Sequence, residues 1–373
     1  MISPVILIIK ANANLKDTLH HNMRGKFVFS DSPRLTEHEF FRREFGLTLI
    51  YDAFQKEAIK QLESDNVVLI ASTNPLSWKS TLQKLPSSTV IFFLLGNETY
   101  EPSLYNSLND LSCIKHVFVY NPPTQIRSVH HWYSLVGDFR DQFPKMGLRN
   151  IFEILRDNRT SRHLQRKFIN TKLRYSWSSL PQGYSNSFVL GLQAKGLLLS
   201  NSQNSLIDQS YISDLQSRYR KEKRFIFVGQ ETNRKRHQVV SFMSTRKDST
   251  ILTKQIGFGG TTFDGDLTYV NLLLSSWFNL IPPGHFNNSN HRYTESCIAG
   301  SIPVILYQNS IDHSDNENWT KSLSLMQSYS FRSLVNYLIE IDEDSLEQLN
   351  RDISHQNFRT IEQTRHKIQA VLS

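Results

Sequence analysis

Short apolar runs of strand length punctuate the first half of the chain: Val5–Ile9, Phe27–Phe29, Val67–Ile70, Val90–Leu95 and His116–Tyr120. Polar, amphipathic stretches lie between them, and Phe54–Leu62 has helical spacing. Alternating β and α signals of this kind leave few architectures open. They predict a parallel sheet with helices on its faces. None of the runs approaches the ~20 apolar residues a helix needs to cross a bilayer.

The pattern restarts later in the chain. Arg224–Val228 reads as a strand after a charged run, His237–Met243 as part of a helix, and Tyr269–Phe278 as a helix running into a strand. From Asp344 to Leu372, apolar residues at Leu346, Leu349, Ile353, Phe358, Ile361, Ile368 and Leu372 approximate a helical period and predict terminal amphipathic helices. Between the two patterns lie a basic stretch, Arg156–Arg174, a Leu180-Pro181-Gln182-Gly183 turn signal, and a Ser- and Asn-rich segment, Tyr184–Asp214, with weak periodicity. We place the interdomain region at 175–190. With 373 residues the chain suits two domains: 1–185, 186–343, and terminal helices over 344–373.

One stretch, Ser275–Leu306, carries chemistry as well as pattern. It reads as a helix end, an apolar strand (Phe278–Ile281), a Pro283-Gly284 turn, a polar loop, a short helix and a second apolar strand (Ile302–Leu306). A turn placed after a strand and before a helix can present backbone N–H groups to a phosphate. Arg292 and Glu295 share a face if that short segment is helical. The face would offer a cation to a diphosphate and a carboxylate to ribose hydroxyls.

This stretch resembles exostosin-type glycosyltransferases and the related ribitol xylosyltransferase group. Their order is an apolar strand, a Pro-Gly turn, R-x-x-E, then A-x-G-x-I-P-V. The matching elements are Phe278–Ile281, Pro283-Gly284, Arg292 to Glu295, and Ala299-Gly300-Ser301-Ile302-Pro303-Val304, with Ala299 and Gly300 adjacent rather than one apart. Asn290 and His291 stand where the family often has Ser or Thr before the Arg. Phe225–Gln230 followed by Arg234-Lys235-Arg236 is similar to the strand, glycine and basic residue that open the family's donor-binding half. The resemblance covers roughly residues 224–310. It implies the α/β GT-B architecture, two Rossmann-like domains facing a central cleft, with the terminal helices packing back on the first domain. It also implies transfer of a sugar from a nucleotide-sugar donor, UDP-sugar favoured, to a hydroxyl of a glycan acceptor.

On that reading the donor-binding residues are Glu295, Arg292, Gly284, His285, Arg234, Arg236 and Gly229. Glu295 is taken to accept hydrogen bonds from the donor ribose. Arg292 either contacts the diphosphate or pairs with Glu295. One of the basic residues at 234–236 neutralises the leaving diphosphate, the charge that grows in the transition state; guanidinium groups suit phosphate best. The base that takes the acceptor's proton is expected on the first domain. Glu98 follows the strand Val90–Leu95 and is preferred; Asp31 follows Phe27–Phe29 and is the alternative. Each also suits a turn or helix cap. Retaining GT-B enzymes commonly carry a second glutamate eight positions after the first; here that position is Pro303, which implies inversion.

Other features set bounds. Asp264-Gly265-Asp266 matches the D-x-D pattern of metal-dependent GT-A enzymes and equally an Asp-Gly turn, so no metal is predicted and a divalent ion stays open. Two cysteines, Cys113 and Cys297, do not make a disulfide framework and suit a reducing compartment. Met1 leads almost directly into Val5–Ile9 without a basic n-region. The expectation is a cytoplasmic enzyme, peripheral at the inner membrane face, in surface polysaccharide (capsule or lipopolysaccharide) assembly, with a glycan or lipid-linked acceptor. Net charge is +8 and pI 9.3, which favours an anionic partner without choosing one. The basic runs 156–174 and 218–224 read as solvated faces or contacts for anionic lipid or an acidic acceptor. No nucleic-acid motif accompanies them. The rivals are a fucosyltransferase-like enzyme using a GDP-sugar, to which Thr294-Glu295 and Gly300–Val304 also conform, and an inactive glycan- or nucleotide-binding protein.

Overall fold

The computed structural model describes residues 27–30, 38–51, 67–72, 75–83, 89–94, 108–120, 173–181, 183–199, 204–229, 234–253, 267–282, 291–305 and 331–372. Val5–Ile9, Phe54–Leu62, the paired histidines His20-His21 and His130-His131, and most of the basic run 156–174 lie outside them.

The first half is built from β1 (Phe27–Ser30), α1 (His38–Phe45), β2 (Thr48–Tyr51), β3 (Val67–Ser72), α2 (Lys79–Leu82), β4 (Thr89–Leu94), β5 (Ile114–Tyr120) and β6 (Ser176–Leu180). Its six strands pair in parallel in the order β2-β1-β3-β4-β5-β6. Central strands β3 to β5 are almost continuously buried, as strands covered on both faces must be. The second half carries α3 (Asn186–Ala194), α4 (Gln209–Ser217), β7 (Lys223–Gly229), α5 (Arg234–Met243), β8 (Ser249–Thr253), α6 (Leu267–Leu274), β9 (Ser276–Ile281), α7 (Arg292–Ala299), β10 (Ile302–Ile305), α8 (Phe331–Glu340) and α9 (Glu343–Leu372). Its four strands are also parallel, in the order β10-β9-β7-β8. These two parallel sheets, with helices between their strands, give the α/β class expected from the sequence.

Several segments differ from expectation. The stretch read as interdomain contains β6, an edge strand of the first sheet. Its Ser-rich sequence, Ser176-Trp177-Ser178-Ser179-Leu180, hid it. The Ser- and Asn-rich segment after it contains two capped helices. Ser185 accepts from the Phe188 amide at the start of α3, and Asp208 accepts from the Ser210 and Tyr211 amides at the start of α4. The polar residues that blurred the periodicity are in part the caps.

The halves share one apolar core. Val28, Phe40 and Phe41 of the first belong to the same cluster as Val228, Val270 and Ile298 of the second, with Phe188 and Leu192 of α3 among them. Helix α9 bridges the two. Leu346 and Ile353 pack in the outer core of the second sheet, Ile361 and Ile368 in the shared core, and Arg365 donates to the Glu44 carbonyl of α1 at 2.6 Å. Among the described residues no helix is long and apolar enough to cross a membrane.

The basic run 218–224 is a fastening and not simply a solvated face. Lys221 Nζ donates to the carbonyls of Leu274 (2.9 Å) and Ala299 (3.2 Å), the last residues of α6 and α7. Arg224 donates to the carbonyls of Leu338 (2.5 Å), Ile339 (3.2 Å) and Ile341 (2.6 Å) at the end of α8. Cations belong at helix C-termini, where unpaired carbonyls and the helix dipole gather negative charge. Arg218 pairs with Asp214 one turn back, at the surface.

Candidate donor site at the β7–β9 switch point

In the second sheet, β7 connects outward to β8 on one side and β9 to β10 on the other. The reversal falls between β7 and β9. In open α/β sheets such a reversal opens a crevice at the carboxyl ends of the strands, where ligands bind. Gly229 is the last residue of β7, and the chain leaving β9 returns to open α7 at Arg292.

These two residues meet. A Cβ placed on Gly229 would lie 2.8 Å from both Arg292 terminal nitrogens and 3.2 Å from its Cζ. Only a residue without a side chain lets the guanidinium lie across the end of β7. Helix α5 begins at Arg234, shortly after the same strand, and adds a helix N-terminus on this edge of the sheet. Arg236, in its first turn, is half-buried. The side chain of Arg234 is outside the described residues, as are Gly284, His285, Asp264 and Asp266. Among the described residues, no three His, Cys, Asp or Glu side chains group closely enough to hold a metal ion.

Helix α7 is set firmly. Every residue from Tyr293 to Ala299 is buried. Its end is closed by Gly300 in the left-handed region (φ 70°), with Ser301 N–H donating back to the Ser296 carbonyl at 2.9 Å. That is a Schellman closure, which glycine adopts without strain. Gly300 also faces Gln216 of α4, whose side chain donates to the Cys297 carbonyl at 3.2 Å. Asn279 of β9 donates to Ser296 Oγ at 2.8 Å and ties the helix to its sheet.

Glu295 sits one turn after Arg292 and is only 2% exposed. Its Oε1 accepts from the Ser185 amide (2.9 Å) and Ser185 Oγ (2.6 Å), and its Oε2 accepts from the Tyr269 hydroxyl (2.5 Å). Three protein donors thus meet this carboxylate, for which the sequence led us to expect ribose hydroxyls. Burial and the neighbouring Glu295 charge push the Tyr269 hydroxyl well above its usual pKa, while Arg292 acts in the opposite direction. Tyr269 is thus a neutral donor within the electrostatic reach of both. Neither it nor Ser185 stood out in the sequence. Tyr269 opens an apolar helix and Ser185 looks like any cap; only the fold brings them to Glu295.

The base candidates follow strands of the other sheet in sequence. Asp31 follows Ser30, the last residue of β1, and Glu98 follows β4; both lie outside the described residues. In this sheet the reversal falls between β1 and β3.

No protein-family model matches the chain, and no curated protein matches it. Among solved structures, the crystal structure of an alpha1,3-fucosyltransferase is similar over 91% of this chain and 89% of that one, with 11% identity and a TM-score of 0.39. The functional reading rests on the site itself.

Proposed function

We propose that the chain is a glycosyltransferase that takes a sugar from a nucleotide-sugar donor, UDP-sugar favoured, to a hydroxyl of a glycan acceptor, with inversion. The observation that carries this reading is the Arg292 guanidinium lying against Gly229 at the β7–β9 switch point. A planar cation with paired N–H donors at that position suits two diphosphate oxygens at once. It stabilises the leaving diphosphate as the glycosidic bond breaks and negative charge builds on the bridging oxygen. The N-terminus of α5 and Arg236 would add positive potential on the same edge.

Glu295 serves this site through position. With its carboxylate engaged by Ser185 and Tyr269, it holds the first turn of α7 in place. Of the two candidate bases, Asp31 is favoured by topology. It follows β1, which borders the reversal in the first sheet, whereas Glu98 follows β4, beyond β3. The position eight residues after Glu295, Pro303, lies in the edge strand β10; it carries no carboxylate for a double displacement.

The test is nucleotide release from a panel of UDP- and GDP-sugars, for the natural protein and for Arg292→Lys. Slow hydrolysis of one donor, lost in the variant, supports the reading and names the donor. No release, with no thermal stabilisation by UDP or GDP, overturns it and leaves the glycan-binding rival. Release from a GDP-sugar alone would move the donor class from UDP to GDP.

A further inference from the structure

Three consecutive residues, Gly183, Tyr184 and Ser185, lie where the chain passes from the first sheet to the second, and each is committed to a different contact. Gly183 is packed so closely on Phe40 of α1 that any Cβ would collide with the ring. Tyr184 is fully buried and donates to Glu44 Oε1 of α1 at 2.6 Å. That carboxylate also accepts from the Leu206 amide (2.9 Å) and Ser205 Oγ (2.5 Å), and Arg365 of α9 lies 3.4 Å from it. Ser185, the next residue, gives both its amide and its hydroxyl to Glu295 of α7. Two buried carboxylates, one in each half, are thus gripped by adjacent residues of one segment.

We propose that this Gly183–Ser185 segment couples the donor site to the first half, with Ser185 as a positioning residue. It holds Glu295, which sets the first turn of α7 and so the aim of Arg292 over Gly229. Tyr184 carries any displacement of that turn to α1. The proposal rests on the diphosphate reading of Arg292. The physical basis is steric as well as polar: Gly183 leaves the segment no room to slide along Phe40. A movement of Glu295 therefore either breaks the Ser185 hydrogen bonds or moves α1 with it. Packed, hydrogen-bonded elements of this kind transmit discrete shifts.

The role of Ser185 as the α3 cap must be separated from its role toward Glu295. Ser185→Asp retains a good N-cap, but its side chain has no hydroxyl donor and it sets a second carboxylate beside Glu295. Ser185→Thr retains both functions. Tyr269→Phe removes the other side-chain donor to Glu295 without touching the cap.

The readouts are amide hydrogen exchange over α1, α3 and α7, and the affinity for UDP and for inorganic pyrophosphate by calorimetry. In the ligand-free protein, Ser185→Asp is expected to speed exchange in α1 and α7 together, and Ser185→Thr to restore both. UDP is expected to slow exchange in α1 of the natural protein. Its affinity should fall about tenfold or more in Ser185→Asp and Tyr269→Phe, the loss expected for an interaction of about 1.4 kcal/mol. If Ser185→Asp changes exchange only in α3, or binds UDP as the natural protein does, the coupling is overturned. If the natural protein binds neither UDP nor pyrophosphate, the diphosphate reading fails and with it the aiming of Arg292. The ligand-free exchange of α1 and α7 then still decides the mechanical link.

Discussion

Arg292 lies across Gly229 so closely that a methyl group on the glycine would stand 2.8 Å from both terminal guanidinium nitrogens. The two residues come from separate motifs, one ending β7 and the other opening α7. Their contact has a consequence for mutagenesis. The group that must yield to Gly229→Ala is the far end of a flexible side chain, so the fold should tolerate the change while Arg292 is displaced. Stability is expected to stay within about 1 kcal/mol of the natural protein. UDP affinity should fall roughly 10- to 100-fold, as when a charge-assisted hydrogen bond of about 1.5–3 kcal/mol is lost. Arg292→Ala should lose as much, and the double variant no more than either alone, because both remove one interaction. Calorimetric titration of the four proteins checks this; additive losses would mean that the residues act separately.

Glu295 makes the opposite prediction, a large stability effect. Glu295→Ala strips acceptors from the Ser185 amide, the Ser185 hydroxyl and the Tyr269 hydroxyl in an enclosed site. Buried donors left unpaired cost about 1–3 kcal/mol each. The variant should lose about 3 kcal/mol or more in urea denaturation. Glu295→Gln keeps one carbonyl acceptor and the shape of the side chain, and should lose less than half as much. A Glu295→Ala variant as stable as the natural protein would show that this carboxylate does not hold α7.

How much of this could be read in advance follows from burial. Strands β3, β4, β5, β7 and β9 are covered on both faces and stand out by the apolar stretches they contain, such as Val67–Ala71 and Phe225–Val228. Edge strand β6 needs apolar residues on one side only, and its serines masked it. Gly229, Arg292 and Glu295 could be singled out in the sequence because a strand ends at the first and a helix opens with the other two. Their contact was not, since it depends on β9 lying next to β7 rather than next to β8. The partners of Glu295 were invisible for the same reason: Ser185 is 110 positions away. The charge run at 218–224 was misread because a linear pattern does not show where helices end, and three helix C-termini converge on Lys221 and Arg224.

Lys221 gives a pH prediction. Its ammonium end is enclosed between the ends of α6 and α7, and burial pushes its pKa down from 10.5 to about 7, against the pull of the two carbonyls it meets. The folded form therefore binds the proton less tightly than the unfolded chain. Below pH 7 both states hold it and the penalty is fully present. Between about 7 and 10.5 the unfolded state alone stays protonated, so stability from this residue rises with pH, by up to about 1.4 kcal/mol per unit. Comparing urea midpoints of the natural protein and Lys221→Met at successive pH values isolates the effect. The difference between them should shift in favour of lysine from pH 7 to 10. A flat difference would mean that the helix-end carbonyls hold the charge and cancel the burial.

Arg224 fastens α8 to the second sheet. It donates to three carbonyls at the helix end and lies over the Phe278 ring at 5.4 Å. Arg224→Lys keeps the charge but cannot span three acceptors from a planar fork. It should recover only part of the roughly 1.5–3 kcal/mol expected to be lost in Arg224→Ala. Amide exchange in α8, residues 331–340, should quicken in the order natural, Lys, Ala. Equal exchange in all three would place the fastening elsewhere.

The base assignment turns on sheet order. Ligands in open parallel sheets sit where the strand order reverses, and in the first sheet that is between β1 and β3. Asp31 is the residue immediately after β1, while Glu98 follows β4, separated from the reversal by β3. On strand order we propose Asp31 over Glu98, reversing the preference drawn from the sequence. On this reading Asp31→Asn lowers transfer to the acceptor by about 10²- to 10⁴-fold, the usual contribution of a positioned base. Donor affinity should stay unchanged, because the proposed donor site is on the other sheet. Glu98→Gln should change transfer less than tenfold. Single-turnover assays with saturating donor, beside calorimetric UDP titrations, separate the two. The reverse pattern would return the role to Glu98 and show that the acceptor reaches the sheet beyond its reversal. Loss of UDP binding in Asp31→Asn would place that residue in donor binding.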